Sequence, residues 1–236
     1  RSSDLYFVMG PFDGTASSGN VWKHSDQWPV PSVQTAFYLN ADRKLTTNLS
    51  EREILYAYKY DPSDPVPTLG GRNLFLEAGP KDQRPIEDRA DTLVFTTDIL
   101  EDEIEVTGKV LAKLWVSTDK EDTDVVVRLT DVYPDGKSIL IADGICRLCI
   151  KYPERVIAAQ ECCEVEVDLW DTSLVFAKGH RIRIAVTSSN YPRFEKNHNV
   201  GLIGSHRNSR VAHNIIHVGK NYPSRLILPI VGRTER

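Results

Sequence analysis

The sequence contains the residue types of hydrolytic catalysis without the spacing of a complete catalytic site. A serine hydrolase of α/β type carries its nucleophile in a Gly-x-Ser-x-Gly turn, and this chain contains no such turn. The segment 14–19 (GTASSG) has the residue types but the wrong spacing. A glycine-rich phosphate loop and a His-Glu-x-x-His zinc motif are also absent from the sequence. We therefore do not expect this chain by itself to turn over an ester or a peptide.

Histidine is the usual general base, and the chain has 6. His213 and His217 would share a face on a strand or on a helix, but no third metal ligand is evident in the sequence. We expect surface or interface histidines there, and we predict no metal and no cofactor. His180, in the segment 178–181 (KGHR), is predicted to be a turn residue or a hydrogen-bonded structural histidine.

The acidic segment 119–124 (DKEDTD) lies between two predicted strands. It lacks the glycine and the distal glutamate of an EF-hand loop, so a solvated turn is predicted rather than a calcium site.

The cysteines do not have zinc-ribbon spacing, and we expect free thiols packed as small apolar groups. They are Cys146, Cys149, Cys162 and Cys163. Because so few cysteines do not form a disulfide scaffold, a reducing, cytoplasmic compartment is favoured.

Composition places the chain among ordinary globular proteins. It has 236 residues, 41% of them hydrophobic and 26% charged, and a formal net charge of -4. No long basic run supports nucleic-acid binding, and no apolar run approaches the length of a membrane span. The single methionine, Met9, is not at the start, so we expect a piece of a longer protein.

Alternation of apolar and polar residues dominates the second half of the chain. Apolar side chains recur at every second position over 104–116, which predicts a long strand. Residues 124–142 predict a β-hairpin around the turn 133–136 (YPDG). Further strands are predicted at 144–152, 161–169, 181–187, 212–218 and 225–230, with one helical turn at 171–176. Many short strands with almost no helix indicate a mainly β sandwich, and their number fits a jelly roll.

The first seventy residues have a different character. Residues 5–9 (LYFVM) form a continuous apolar run, which predicts a strand buried on both faces, as in the centre of an α/β sheet. Residues 61–71 contain three prolines and two glycines, which is typical of a stiff linker. This segment is the best candidate for a domain boundary.

Several motifs together resemble a known family. In chain order they are 60–71 (YDPSDPVPTLGG), 79–85 (GPKDQRP), 122–125 with 129–136 (LTDVYPDG), 178–184 with 188–194 (SSNYPRF), and 223–230. The chain resembles the C-terminal portion of the X-prolyl dipeptidyl-peptidase and cocaine-esterase (CocE/NonD) group of serine hydrolases. The resemblance implies an α/β-hydrolase domain followed by a jelly-roll (galactose-binding-like) β-sandwich. Residues 1–59 would then end the hydrolase domain, 60–71 would be the linker, and 72–236 the jelly roll.

The resemblance also implies where catalytic residues should lie. The family serine and aspartate would precede Arg1, and the family histidine follows a strand in a Gly-Pro-Trp-x-His segment. The matching segment here is 10–14 (GPFDG), which places Gly14 at the histidine position. Glycine cannot accept a proton, and His24 is the candidate substitute. Three interpretations stay open: a non-hydrolytic parent, a displaced base such as His24, or an altered residue at position 14.

We therefore predict the C-terminal region of a serine acyl hydrolase, with the jelly roll packed on the active site and not catalytic alone. Its main partner would be the missing N-terminal hydrolase domain, and subunit contacts in some family members imply a homo-oligomer. The rivals are a carbohydrate- or protein-binding jelly roll and a scaffold descended from a hydrolase. Exposed tryptophans on one sheet face would favour a sugar-binding module. An apolar patch in the first seventy residues would favour the hydrolase fragment.

Overall fold

The structure, a computed structural model, describes residues 4–151, 161–201 and 208–232. Within these residues the strands are β1 (Asp4–Val8), β2 (Val21–Ser25), β3 (Val33–Leu39), β4 (Leu45–Thr46), β5 (Ile54–Tyr60), β6 (Leu93–Thr96), β7 (Ile104–Thr118), β8 (Asp124–Val132), β9 (Ser138–Arg147), β10 (Cys163–Phe176), β11 (Arg181–Thr187), β12 (Ala212–Val218) and β13 (Arg225–Ile230). The helical elements there are α1 (Arg84–Glu87), α2 (Leu148–Lys151) and a 3₁₀ turn at Ala41–Arg43. None of these described helices is long and apolar enough to cross a membrane.

Two antiparallel sheets form the body of the protein. The seven-stranded sheet has the order β4-β3-β13-β7-β12-β5, with β10 also paired to β7, and the four-stranded sheet has the order β6-β11-β8-β9. Every strand pair in both sheets is antiparallel. The predicted mainly β class is confirmed, as is the hairpin over 124–142, which is β8 and β9.

The core lies between the two sheets. On β7 the predicted alternation holds, and Val106, Val110 and Leu114 are fully buried. They meet apolar side chains of the four-stranded sheet, such as Leu129 on β8 and Ile184 on β11, in one continuous cluster. Burying each such side chain is worth about 1.5–3 kcal/mol, so this interface holds the two sheets together.

A two-stranded ribbon, β1 with β2, stands beside the sandwich and belongs to neither sheet. The predicted burial of residues 5–9 on both faces is wrong, because Leu5 is 55% exposed and Phe7 is 40% exposed. Only Val8 of β1 is buried. The run is apolar on both faces, but within the described residues the sandwich covers only one of them.

Strands β3, β4 and β5 hydrogen-bond into the seven-stranded sheet, where β3 pairs with β13 and β5 pairs with β12. The proline-rich segment 60–71 packs on the sandwich: Tyr191 N donates to the carbonyl of Val66 at 3.0 Å, and Thr68 N donates to the carbonyl of Tyr191 at 2.8 Å. Val66 is fully buried. The division of the chain at 60–71 stays a prediction.

Two local predictions are wrong for a shared reason. Residues 171–176 continue β10 and pair with 104–109 of β7, although the sequence predicts a helical turn. Residues 148–151 are helix α2, although the sequence predicts strand. There, Cys149 N donates to the Asp122 carboxylate at 2.9 Å. In both cases partners distant in sequence supply the hydrogen bonds that select the local structure.

Candidate functional site

A mostly apolar cavity of about 570 Å³ lies where the ribbon meets the sandwich. Met9 closes it from the ribbon side, because its backbone pairs with β10 through Met9 N to Ser173 O and Val175 N to Met9 O, both 2.9 Å. Leu140 and Ala142 of β9 supply another wall. The volume lies in the range of small-molecule sites, so this is the candidate functional site.

A buried acid–histidine pair stands in the cavity wall. Asp131 lines the cavity and is 2% exposed, while His180 is fully buried. The Nδ1 atom of His180 lies 2.9 and 3.0 Å from the two carboxylate oxygens of Asp131. Burial raises the pKa of Asp131 to about 6, and His180 acts in the opposite direction. The prediction of a hydrogen-bonded structural histidine is confirmed.

The part of the chain that the structure describes supplies no third group hydrogen-bonded to this pair at His180 Nε2. Within the described residues, the Nε2 atom of His180 is buried and has no hydrogen-bond partner, so no serine or cysteine is held for activation there. Its ring instead packs 4.6 Å from the ring of Tyr133. The pair therefore supports the ring of Tyr133.

Tyr133 holds the loop that follows β1. Its hydroxyl accepts a hydrogen bond from Phe12 N at 3.0 Å. The side chain of Asn20 ties the same loop twice, because its Oδ1 accepts from Gly10 N at 2.9 Å and its Nδ2 donates to Pro11 O at 3.1 Å. The loop 10–14 is thereby fixed over one side of the cavity.

Arg72 lines the cavity, and Trp170 lies against its guanidinium. The Nη2 atom of Arg72 donates to Leu169 O at 3.0 Å, and its guanidinium lies 5.3 Å from the ring centroid of Trp170. Trp170 has φ +73°, a left-handed conformation that a tryptophan rarely adopts, and Asp168 Oδ1 accepts its backbone N–H at 2.7 Å. This left-handed residue lies at the bulge of β10 between Asp168 and Asp171, and strained backbone of this kind clusters at functional sites.

The loop between Gly71 and Gly79 carries the two most exposed large apolar side chains of the described residues. Leu74 is 93% exposed and Phe75 is 97% exposed. Sequence reasoning missed this pair. An adjacent Leu-Phe between two glycine-containing turns is the signal that could have identified it, since apolar residues in a tight loop need a covering surface.

The two predicted site residues lie on different local elements. Gly14 lies in the exposed loop after β1 with φ +86°, and a Cβ added there would meet nothing within 4 Å. His24 lies on β2 opposite Leu5 and lines a different surface depression, together with Lys23. Their assigned roles in a triad stay predictions.

His213 and His217 each have a different partner on the outer side of β12. His213 Nδ1 lies 3.0 Å from Asp119 Oδ2, and His217 Nε2 lies 2.8 Å from Ser117 Oγ. Across the described ranges, no three histidine, cysteine, aspartate or glutamate side chains gather in a way that could hold a metal ion. These two histidines therefore act as separate polar contacts of the sheet.

The prediction of a solvated turn at 119–124 is wrong for its second half. Asp122 is 2% exposed and Asp124 is 1% exposed. Arg147 forms a two-point ion pair with Asp124 at 2.8 and 2.9 Å, and Asn197 Nδ2 donates to Asp122 at 2.7 Å. These distant partners satisfy the carboxylates and allow their burial.

The tryptophans do not form one sugar-binding face. Trp22 and Trp28 are exposed on and after the ribbon, and Trp170 is exposed at the bulge of β10. Trp115, on β7, packs 5.5 Å from Tyr222. Because they lie on separate elements, the feature that would favour a carbohydrate module is not present in the described part of the chain.

Comparison with known proteins gives consistent results. The family model of the X-Pro dipeptidyl-peptidase C-terminal non-catalytic domain matches residues 5–227. A cocaine esterase of Rhodococcus sp. (strain MB1 Bresler) is 42% identical over 232 residues, covering 90% of this chain and 40% of that protein. The chain therefore spans about two-fifths of the length of this curated relative.

Two solved structures superpose on most of the chain. An aminopeptidase from a marine sediment archaeon, Thaumarchaeota archaeon, matches with a TM-score of 0.79 at 27% identity, over 90% of this chain and 39% of that chain. An α-amino acid ester hydrolase matches with a TM-score of 0.78 at 24% identity, over the same shares of 90% and 39%. At this identity the second match shows a shared fold alone.

Proposed function

Because the chain belongs to the family of X-Pro dipeptidyl-peptidase C-terminal non-catalytic domains, we propose that it is the part of a serine acyl hydrolase that packs on an α/β-hydrolase domain and helps to wall its active site. The parent reaction is hydrolysis of an ester or peptide bond through an acyl-serine intermediate. The proposal includes a jelly-roll, galactose-binding-like arrangement of the strands in the sandwich. Its two antiparallel sheets and the family resemblance support that arrangement.

The exposed pair Leu74 and Phe75 carries the proposal. A phenylalanine that is 97% exposed next to a leucine that is 93% exposed leaves a large apolar area in water, at a cost that a covering domain or substrate would remove. Small-molecule sites are lined mainly by apolar and aromatic side chains, which contact the acyl or leaving group of such a substrate. This loop can supply such a wall from outside the catalytic domain.

The loop is held firmly enough to serve as a wall. Gly71 and Gly79 exchange two backbone hydrogen bonds at 2.8 and 3.1 Å, which close the base of the loop. Asn73 braces its interior, since its Nδ2 donates to Gly70 O at 3.0 Å and its Oδ1 accepts from Leu76 N at 2.8 Å. A fixed loop presents its apolar tip without an ordering cost on binding.

The family match also suggests a different place for the triad histidine. The family model describes a non-catalytic domain, and its match starts at residue 5, before the segment 10–14. We propose that the histidine, like the nucleophile and the aspartate, belongs to the hydrolase domain upstream, and that neither Gly14 nor His24 takes its role. The non-catalytic domain would then include the ribbon as well as β3 and β5, which pair with strands of the sandwich.

The test uses the full-length protein that contains this chain. A fluorophosphonate probe followed by intact-mass measurement is expected to give one adduct on a serine upstream of Arg1. The variant Phe75→Ala is then expected to lower kcat/KM about tenfold or more for aryl esters with bulky acyl groups, because a lost apolar contact costs about 1.5–3 kcal/mol. Leu55→Ala, at a side chain 62% exposed on β5, is the matched control and should leave kcat/KM unchanged.

The outcomes separate the two parts of the proposal. If the folded protein gives no adduct, the hydrolase assignment is refuted and the interpretation as a non-catalytic scaffold stands. If the adduct forms but Phe75→Ala behaves like Leu55→Ala, the parent is a hydrolase and the role of the loop as an active-site wall is refuted.

A further inference from the structure

Aromatic rings line the cavity that lies between the ribbon and the sandwich. They belong to Phe7 on β1, Phe12 in the loop 10–14, Trp28 after β2 and Tyr133 after β8. Two of these rings pack against side chains outside the cavity lining: the ring of Trp28 lies 5.8 Å from that of Tyr6, and the ring of Tyr133 lies 4.6 Å from that of His180. The aromatic part of the wall is therefore in place before a ligand arrives, which lowers the ordering cost of binding.

The charged groups of the cavity wall are mostly carboxylates. Among the described lining residues, three are aspartates and one is an arginine: Asp131, Asp143, Asp171 and Arg72. The carboxylate of Asp143 is already paired, because it accepts a hydrogen bond from Asn190 Nδ2 at 2.9 Å and lies 2.9 Å from Nη1 of Arg193.

The guanidinium of Arg72 is engaged with groups of the β10 bulge. Its Nη2 atom donates to Leu169 O at 3.0 Å, and its charge lies 5.3 Å from the ring centroid of Trp170. With Asp143 paired, two carboxylates of the lining stand against this single guanidinium. The wall therefore carries an excess of negative charge.

Negative charge and aromatic rings coincide at Tyr133. Asp131 precedes it by two residues, is 2% exposed and lines the same cavity. Burial is the main cause of the raised pKa of Tyr133; the hydrogen bond from Phe12 N opposes it, and the carboxylates of Asp131 and Asp13 raise the pKa further. The same carboxylates attract a positive charge placed beside these rings.

We propose that the cavity binds a small organic cation, a substituted ammonium group carried on an apolar body. A cation above an aromatic ring is attracted by the electron-rich face of the ring. Mostly apolar walls disfavour a primary ammonium, whose three N–H donors each need an acceptor, and favour an alkylated nitrogen. Leu140 and Ile141 of β9 offer the apolar body a surface in the same cavity. The inference stands independently of the proposed hydrolysis.

The test uses benzyltrimethylammonium, which contains no ester or peptide bond and is therefore a ligand rather than a substrate of hydrolysis. Neopentylbenzene is its neutral isostere, with carbon in place of the charged nitrogen, and phenylacetate carries the opposite charge. Equilibrium dialysis with the full-length protein that contains this chain is expected to show benzyltrimethylammonium bound about tenfold more tightly than either of the other two compounds. Attraction by the rings and the carboxylates acts on the cation alone.

Two variants locate the bound cation. Asp131→Asn keeps the shape of the side chain and an oxygen for His180 but removes the charge, so it should weaken benzyltrimethylammonium binding about fivefold or more and leave neopentylbenzene binding unchanged. Trp28→Leu, at a side chain that is 51% exposed and lines the cavity, should have the same selective effect without loss of the fold. The matched control is Asp98→Asn, which removes a carboxylate 78% exposed and outside the cavity lining and should change neither affinity.

Four results would overturn the inference. Neopentylbenzene could bind as tightly as the cation, or phenylacetate could bind most tightly, which would indicate an anion site. Both variants could leave the affinity for the cation unchanged, which would place the bound cation elsewhere in the full-length protein. Both could weaken the cation and neopentylbenzene equally, which would indicate a loss of cavity shape rather than of charge recognition.

The fluorophosphonate adduct on the unaltered protein reports the proposed function separately. If the adduct forms and the preference for the cation is absent, the hydrolase assignment stands and the cation site is wrong. If the cation binds as expected and no adduct forms, the cation site stands and the hydrolase assignment fails.

Discussion

The variant His180→Ala tests the electrostatics of the buried pair in the cavity wall. In the intact fold, burial raises the pKa of Asp131 to about 6, while the charge and the hydrogen bonds of His180 lower it. Without His180 the folded-state pKa of Asp131 is therefore higher still. The reference value for the unfolded carboxyl is 3.8.

The direction of the pH effect follows from this difference. A carboxyl with a raised folded-state pKa binds its proton more tightly in the folded protein. Its contribution to stability is thus fully present below the unfolded pKa and is lost as the pH rises through the folded pKa. The loss is about 1.4 kcal/mol per pH unit, or about 2 kcal/mol between about pH 4.5 and about pH 6.

The assay compares His180→Ala with the double variant His180→Ala and Asp131→Asn. Both lack the imidazole, so the difference in their free energies of unfolding isolates the titration of Asp131. Urea unfolding followed by circular dichroism at three pH values across this window should show His180→Ala losing about 2 kcal/mol relative to the double variant. Parallel pH profiles for the two variants would refute the assignment of a raised pKa to Asp131.

Three further predictions concern the loop, the core and a surface carboxylate. Gly70→Ala should destabilise the protein more than Gly79→Ala in urea unfolding. Both glycines have positive φ, so the backbone strain of an alanine is present at each site. A Cβ at Gly70 would lie 2.3 Å from the Gly79 carbonyl oxygen, whereas a Cβ at Gly79 would meet nothing within 4 Å. Leu114→Ala should cost about 2–5 kcal/mol of unfolding free energy, since the side chain is fully buried, and the exposed Leu55→Ala should stay within about 0.5 kcal/mol of the unaltered protein. Burial raises the pKa of Asp119, but hydrogen bonds from neighbouring groups outweigh it and lower that pKa to about 2. The contribution of the Asp119 carboxylate to the free energy of unfolding is therefore lost as the pH falls from 3.8 to about 2. Asp119→Asn should flatten the pH dependence of stability over that range.

The strand pattern of the second half was predictable because it depends on local chemistry. The alternation along β7 identifies the face that meets the core, and the turn at 133–136 sets the hairpin of β8 and β9. Residues 171–176 were not predictable in the same way. Their capping pattern indicates a helical turn, but β7 supplies strand hydrogen bonds, and pairing between distant segments prevails over a short local preference.

For the candidate site, the sequence predicted the role of single residues better than it predicted their partners and their exposure to solvent. It predicted that His180 is a turn residue or a hydrogen-bonded structural histidine, but it did not identify the partner Asp131, which lies on β8. It missed Leu74 and Phe75, since a loop composition does not reveal which apolar side chains stay uncovered. It predicted the burial of Leu5 on both sides of a sheet, which the described residues provide on one side only.

The sequence by itself determined the period of the strands, the tight turns and, through ordered motifs, the family. These features depend on neighbours within a few residues, whose spacing the chain carries directly. Only the tertiary structure decided which charged and apolar groups are covered. Asp124 is buried because Arg147 reaches it from the adjacent strand, and Phe75 is exposed because no described element packs over its loop. Burial depends on what the folded chain brings together, and no local pattern contains that information.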